Sequence, residues 1–366
     1  SNCRKDTKLV GYSIFKFDKQ IMTKAENLHS VLQNKDYSDY SDVQKRKIGC
    51  LFGGLIGSSM GFTLQNHNFG EQQLLQNRTL MFAQNKLEGL KQNINLGNFI
   101  PGMWSTAGCQ SIALLEVISY YNRFPASEFM FALQDVFEKQ FCCPNDGMHP
   151  GIGLTISSAL QDFQKTQARN ECIIEHHLTP TGTFQSNGSG ALMRCFPAAL
   201  MNNVRNALWV SFYQAKCTHK GEDQAICCVL HTFLSYMLIN EPFDFQALFD
   251  QKIIQFLQFV DEMQIKKSKE IESLLQSTGN FNWKLPKFKP TSEGRVGQYA
   301  LDAMAISLNA LYHNKTLDQI CCLGGDAEVN GSVLGSLLGA QFGIEIFKEN
   351  WTDAVLKQDQ DALIEA

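Results

Sequence analysis

Two carboxylates stand one residue apart near the end of the chain, in the stretch CLGGDAEVNGSVLGSLLGAQFG. Asp326 and Glu328 follow two glycines and open a run of small and apolar residues. Carboxylate oxygens suit a hard cation such as Mg²⁺. Acids at the start of a helix also act as caps, because the positive helix end favours them. Three other stretches lead small or polar residues into apolar runs: GMWSTAGCQS (102–111), HPGIGLTISSAL (149–160) and SNGSGALMRCFPAAL (186–200). Helix N-termini present free N–H groups that attract anionic oxygens, and several converging ends would cradle a nucleotide diphosphate. Within these stretches Arg194 has two readings, an ion pair with a carboxylate such as Glu116 or a phosphate contact. His219, in THKGEDQA (218–225), either touches a ligand or bonds a backbone group. Cys109 has no base beside it in sequence and is a poor nucleophile.

The elements that must position these residues read as helices. IGCLFGGLIGSSMGF carries glycine at every fourth position, Gly49, Gly53, Gly57 and Gly61, which lines one helix face and lets another backbone come close. Ser41 or Asp42 is expected to cap that helix. Apolar residues at 3–4 spacing recur in STAGCQSIALLEVISYYNRF, in SEFMFALQDVFEKQF with Ser127 as its expected cap, and in GQYALDAMAISLNALYHN. Strand-like alternation is scarce, and several prolines fall at helix boundaries. The expected fold is all-α, a compact single-domain helical bundle. Residues 1–45 read as a polar extension, docked on this chain or on a partner, residues 46–350 as the domain, and 351–366 as a tail. The segment 266–290 reads as a charged surface loop.

Composition narrows the function classes. Hydrophobic residues make up 44% and charged ones 19% of the 366 residues, as in a globular protein. A net charge of −4 gives no basic surface for nucleic acid or an anionic membrane. No apolar run approaches the ~18–20 residues of a membrane span, so no membrane insertion is expected. The 12 cysteines contain no C-x-x-C pair, which removes the usual zinc pattern. Reduced thiols in an intracellular protein, most simply a cytoplasmic one, are the expectation.

Taken together, the motifs resemble the ADP-ribosylglycohydrolase family. GSGALMRCFP is similar to its G-N-G-A-x-M-R-x-x-P stretch, and LGGDAEVNG to its G-G-D-x-D-T loop. IGCLFGGLIGSSMG is similar to its glycine-spaced opening helix, THKGEDQA loosely to T-H-x-x-P-x-A, and MWSTAGCQSIAL to W-T-D-D-T and the helix behind it. The matches run in family order from Ile48 to Gly343. The resemblance implies an all-α fold, two Mg²⁺ ions and hydrolysis of the bond joining ADP-ribose to a side chain or to another ADP-ribose. It also implies nucleotide contacts from His149, Gly151, Gly153, Ser189, Gly190, Met193 and Arg194. The implied metal ligands are Ser105, Asp326 and Glu328, the last two also being the catalytic carboxylates.

The chain departs from that pattern where the metals would bind. Aligned from Trp104, Ser105 keeps the first hydroxyl, but Thr106 and Ala107 stand where two acids belong, and Gly108 replaces the last threonine. Ser58 stands for the aspartate of the first helix, Ser189 for an asparagine and Val329 for a threonine. Two carboxylates remain of about four. Two alternatives follow: a single Mg²⁺ held weakly by Asp326, Glu328, Ser105 and water, or no ion. The reading favoured from sequence is a catalytically impaired family member. It would serve as a structural or ADP-ribose-binding subunit among other protein subunits. An active Mg²⁺-dependent hydrolase is the alternative.

Overall fold

A computed structural model of the chain describes residues 37–62, 64–65, 102–121, 123–140, 142–143, 151–168, 187–290 and 296–358. Residues 1–36 of the expected N-terminal extension, with their expected docking, and His149 lie outside the described residues. Among the described residues the fold is helical, with no strand and one isolated bridge between Gly188 and Tyr299. No described helix is long and apolar enough to cross a membrane.

The centre is a pair of antiparallel helices from opposite ends of the sequence, α1 (Asp42–Phe62) and a late helix at Ala327–Phe342. The four-spaced glycines explain the pairing. An added β-carbon at Gly49, Gly53, Gly57 or Gly61 would lie 2.6, 2.1, 1.9 or 2.0 Å from the carbonyl oxygens of Gly339, Gly335, Gly331 and Ala327. No side chain fits there, so backbone meets backbone at four successive contacts. Ser41 starts α1 with a reciprocal cap: its hydroxyl accepts from Gln44 N, and Gln44 Oε1 accepts from Ser41 N.

Between the pair run α2 (Thr106–Tyr121), α3 (Ala126–Glu138), α4 (Leu154–Ala168), α5 (Val204–Lys216), α6 (Glu222–Asn240), α7 (Phe245–Glu262), α8 (Lys269–Gln276), α9 (Ala300–Tyr312) and α10 (Leu317–Cys321). The Ala327–Phe342 helix is α11, and α12 (Glu349–Leu356) follows, seating Trp351 and Val355 in the core. Helices α6, α9 and α11 are buried almost all round, as suits the middle of a large bundle. Leu114, Phe129, Leu133, Ile156 and Phe163 join α2, α3 and α4 into a second apolar cluster beside the main core.

Three expectations need correction. Ser127 does not cap α3: the helix starts one residue earlier, after Pro125, with no side-chain cap. Residues 266–290 are not a surface loop. They hold α8 and a 3₁₀ turn, and Trp283 is fully buried with its indole N–H on Leu274 O at 2.7 Å. The GSGALMRCFPAAL stretch does not open an α-helix. It folds as two buried 3₁₀ turns, Ser189–Ala191 and Phe196–Leu200. The ten described cysteines are all free, and all but Cys143 are buried.

Candidate ligand site

The glycine pairing carries the end of α1 to the start of α11, and α2 begins against both. There the acids behave differently from either sequence reading. Asp326 occupies the N-cap position of α11 without capping it through its side chain. Glu328 caps a different helix. Its Oε1 accepts from the Ser105 hydroxyl and from Ala107 N, 3.2 Å away, in the first turn of α2. Ser58 Oγ lies 2.8 Å from Ser105 Oγ and accepts from Ser105 N at 3.1 Å. With the Ser105 proton committed to Glu328, Ser58 donates to Ser105, and a chain of buried hydrogen bonds runs from α1 to α2 to α11. Burial first, then the Asp326 charge, push the Glu328 carboxyl up to about 7 against the lowering effect of its two donors.

Gly108 has a physical reason. An added β-carbon would lie 2.5 Å from Trp104 Cδ1, so the indole takes the room a threonine would need. The same indole donates to Cys142 O at 2.9 Å and ties that segment to the start of α2.

From α2 the contacts continue in a ring. Thr106 Oγ1 donates to Gly151 O at 3.0 Å, just before α4. Gly151 and Gly153 are exposed, with nothing near an added β-carbon. On α4, Ile156 Cδ1 approaches Gly190, where an added β-carbon would meet it at 3.3 Å and His219 Cε1 at 3.2 Å. Ser189 N donates to Gln298 O at 2.8 Å, and Asp326 N donates to Val296 O at 2.6 Å. Ser332 Oγ on α11 holds Met193 O at 3.0 Å. The starts of α2, α4 and α11, the Ser189–Met193 turn and the 296–299 segment thus form one closed circuit. All the predicted site residues within the described residues lie on it except Arg194.

Arg194 is fully buried behind the circuit. Among the described residues no carboxylate, Glu116 included, bonds it. Its guanidinium donates to Gln110 Oε1 (2.6 Å), Gln214 Oε1 (2.8 Å), Gln214 O (3.0 Å) and Thr218 Oγ1 (2.7 Å), and lies over the Phe129 ring at 5.2 Å. Neutral acceptors from α2, α5 and the 218–219 turn thus hold a cation in the core. Thr218 Oγ1 is in turn 2.8 Å from His219 Nδ1, so His219 bonds a side chain rather than the backbone group expected. Sequence reasoning missed Asn330, whose buried amide has no hydrogen-bond partner among the described residues and whose Oδ1 would sit 2.6 Å from a β-carbon on Gly297. Its place one helical turn after Asp326 was the available signal.

The donor set does not fit a two-ion site. Ser58 and Ala107 offer no carboxylate, Thr106 Oγ1 is engaged with Gly151, and Glu328 Oε1 is taken by two protein donors. Among the described residues no group of three or more His, Cys, Asp or Glu gathers as a metal cage.

Known proteins place the fold. The sequence profile of the ADP-ribosylglycohydrolase family matches residues 39–366, so the chain belongs to that family. A solved structure described as an ADP-ribosylglycohydrolase-related protein complex superposes with a TM-score of 0.63 at 18% identity, over 88% of this chain and 96% of that one. That likeness bears on the fold. No curated protein matches the sequence.

Proposed function

We propose that this chain is a catalytically impaired ADP-ribosylglycohydrolase that keeps an ADP-ribose-type site and serves as a structural or ADP-ribose-binding subunit of a larger assembly. One observation carries the reading. Where family members place carboxylates around two ions, Ser58, Ser105, Ala107 N–H and Glu328 bond one another directly. These hydrogen bonds link α1, α2 and α11 to one another. Hydrolysis depends on groups held to within about 1 Å, and the loss of metal-binding acids removes that positioning. The ligand side of the circuit argues for retained binding, since the Ser189–Met193 turn, His219 and the exposed Gly151–Gly153 segment remain together. The related solved structure is described as a complex, which supports the subunit reading.

A second reading has its own observation. Asp326 and Glu328 stand one residue apart at the start of α11 and interact electrostatically. That proximity favours a single weakly held Mg²⁺, with waters completing the shell, in an active hydrolase. Incubation with ADP-ribosylated arginine and serine peptides, with and without Mg²⁺, separates the two. The first reading predicts no metal-dependent release of ADP-ribose. Metal-dependent release that vanishes in Asp326→Ala establishes the second.

A further inference from the structure

The buried side chains behind the Ser189–Met193 turn fix the protonation of the one histidine on the circuit. Arg194 Nη2 donates to Thr218 Oγ1, because a guanidinium has only donors. Thr218 is fully buried, and its side chain bonds only Arg194 and His219 among the described residues. Its one hydroxyl proton therefore goes to His219 Nδ1. The imidazole then carries its proton on Nε2. The reverse tautomer would leave the Thr218 hydroxyl proton buried without an acceptor, which is costly. A second ring proton is opposed by burial and by the neighbouring Arg194 charge, which push His219 down to about 3.

Among the described residues the Nε2 edge faces the backbone of two glycines, Gly188 and Gly190. An added β-carbon would lie 3.3 Å from Nε2 at Gly190 and 3.8 Å at Gly188. His219 is 2% exposed and Gly190 half-buried, so a ligand reaches this edge of the ring alongside the glycine backbone. We propose that Arg194 and Thr218 are positioning residues that hold His219 as a neutral Nε2–H donor aimed past Gly190 at an acceptor oxygen of the bound ligand. The inference rests on the ADP-ribose reading above. It adds that the ligand oxygen must accept, so a phosphate or a ribose oxygen fits and a cation does not.

The test is ¹⁵N-resolved histidine NMR on the full chain, with His219→Gln assigning the signal. The free protein is expected to show one neutral Nε2–H tautomer for His219 across pH 5–8. Thr218→Val is expected to mix the tautomers, and Thr218→Ser to restore one. Calorimetry with ADP-ribose is expected to give about three- to tenfold weaker binding in Thr218→Val, the scale of one misdirected hydrogen bond, with recovery in Thr218→Ser. His219→Gln keeps a donor near Nε2 and should bind better than His219→Asn, which does not. An Nδ1–H tautomer or an imidazolium at neutral pH in the free protein overturns the proposal. So does a Thr218→Val protein that keeps the wild-type tautomer. A correct tautomer with no ADP-ribose binding in any variant instead overturns the ADP-ribose reading and the ligand half of this inference, leaving the relay standing.

Discussion

The two sides of the circuit bury polar groups in opposite ways. On the Glu328 side, an acid is buried with two neutral donors and a neighbouring carboxylate, and its pKa rises. On the His219 side, a base is buried beside a cation, and its pKa falls. Both groups are thereby pushed toward the neutral form. The difference lies in what each network connects. Glu328 fastens three helices to one another. The Arg194–Thr218 pair leaves a donor pointing outward. On the function proposed above, one side has turned a place for ions into a structural joint, and the other keeps a group that a ligand can use.

Removing Arg194 should break the comparison most severely. Arg194→Ala strands acceptors on Gln110, Gln214 and Thr218 at zero exposure. A loss of about 3–5 kcal/mol is expected in urea unfolding. A loss below about 1 kcal/mol would mean that the buried cation is not the pin of that side.

Next comes the Glu328 joint. Glu328→Ala strands the Ser105 hydroxyl and Ala107 N–H and should cost about 2 kcal/mol. Glu328→Gln keeps an acceptor without a charge. It should be at least as stable as wild type at pH 8, by up to about 3 kcal/mol given the shift from 4.5 to about 7.

The pH profiles then sharpen the contrast. Between about pH 4.5 and 7 the folded state holds the Glu328 proton more tightly than the unfolded chain. Its contribution is therefore full below pH 4.5 and is lost as pH rises toward 7. His219 works in the other direction. The unfolded chain takes up its proton below about 6.5 and the folded chain only near 3, so stability falls as pH drops through that window. Urea midpoints against pH should gain slope of opposite sign when Glu328→Gln or His219→Gln removes each term. Identical profiles in both variants would contradict the assignment.

Much of this architecture was legible in the sequence, because a helical period and a four-residue glycine spacing are local signals. The row Gly49, Gly53, Gly57 and Gly61 announced a close backbone approach. A second row at Gly331, Gly335 and Gly339 supplied the matching face. What a single sequence does not carry is the partner of a buried polar group. Glu328 reads as a cap for its own helix, and only the packing of the start of α2 against α1 and α11 brings Ser105 within its reach. Arg194 reads as half of an ion pair, because the glutamines that hold it lie far off in the chain. Trp283 was hidden in a charged segment, where Phe281, Trp283 and Phe288 are too irregularly spaced to give a helical period. The turn at Ser189–Met193 is buried by its neighbours, so its small residues imitated a helix start.

The central claim is that protein hydrogen bonds replace metal at the junction of α1, α2 and α11. Thermal unfolding with Mg²⁺ or with a chelator tests it most directly, since an ion bound to the folded state raises the midpoint by mass action. The account predicts the same midpoint in both conditions, for wild type and for Asp326→Ala. A midpoint that climbs with Mg²⁺, saturates, and loses that response in Asp326→Ala would contradict it.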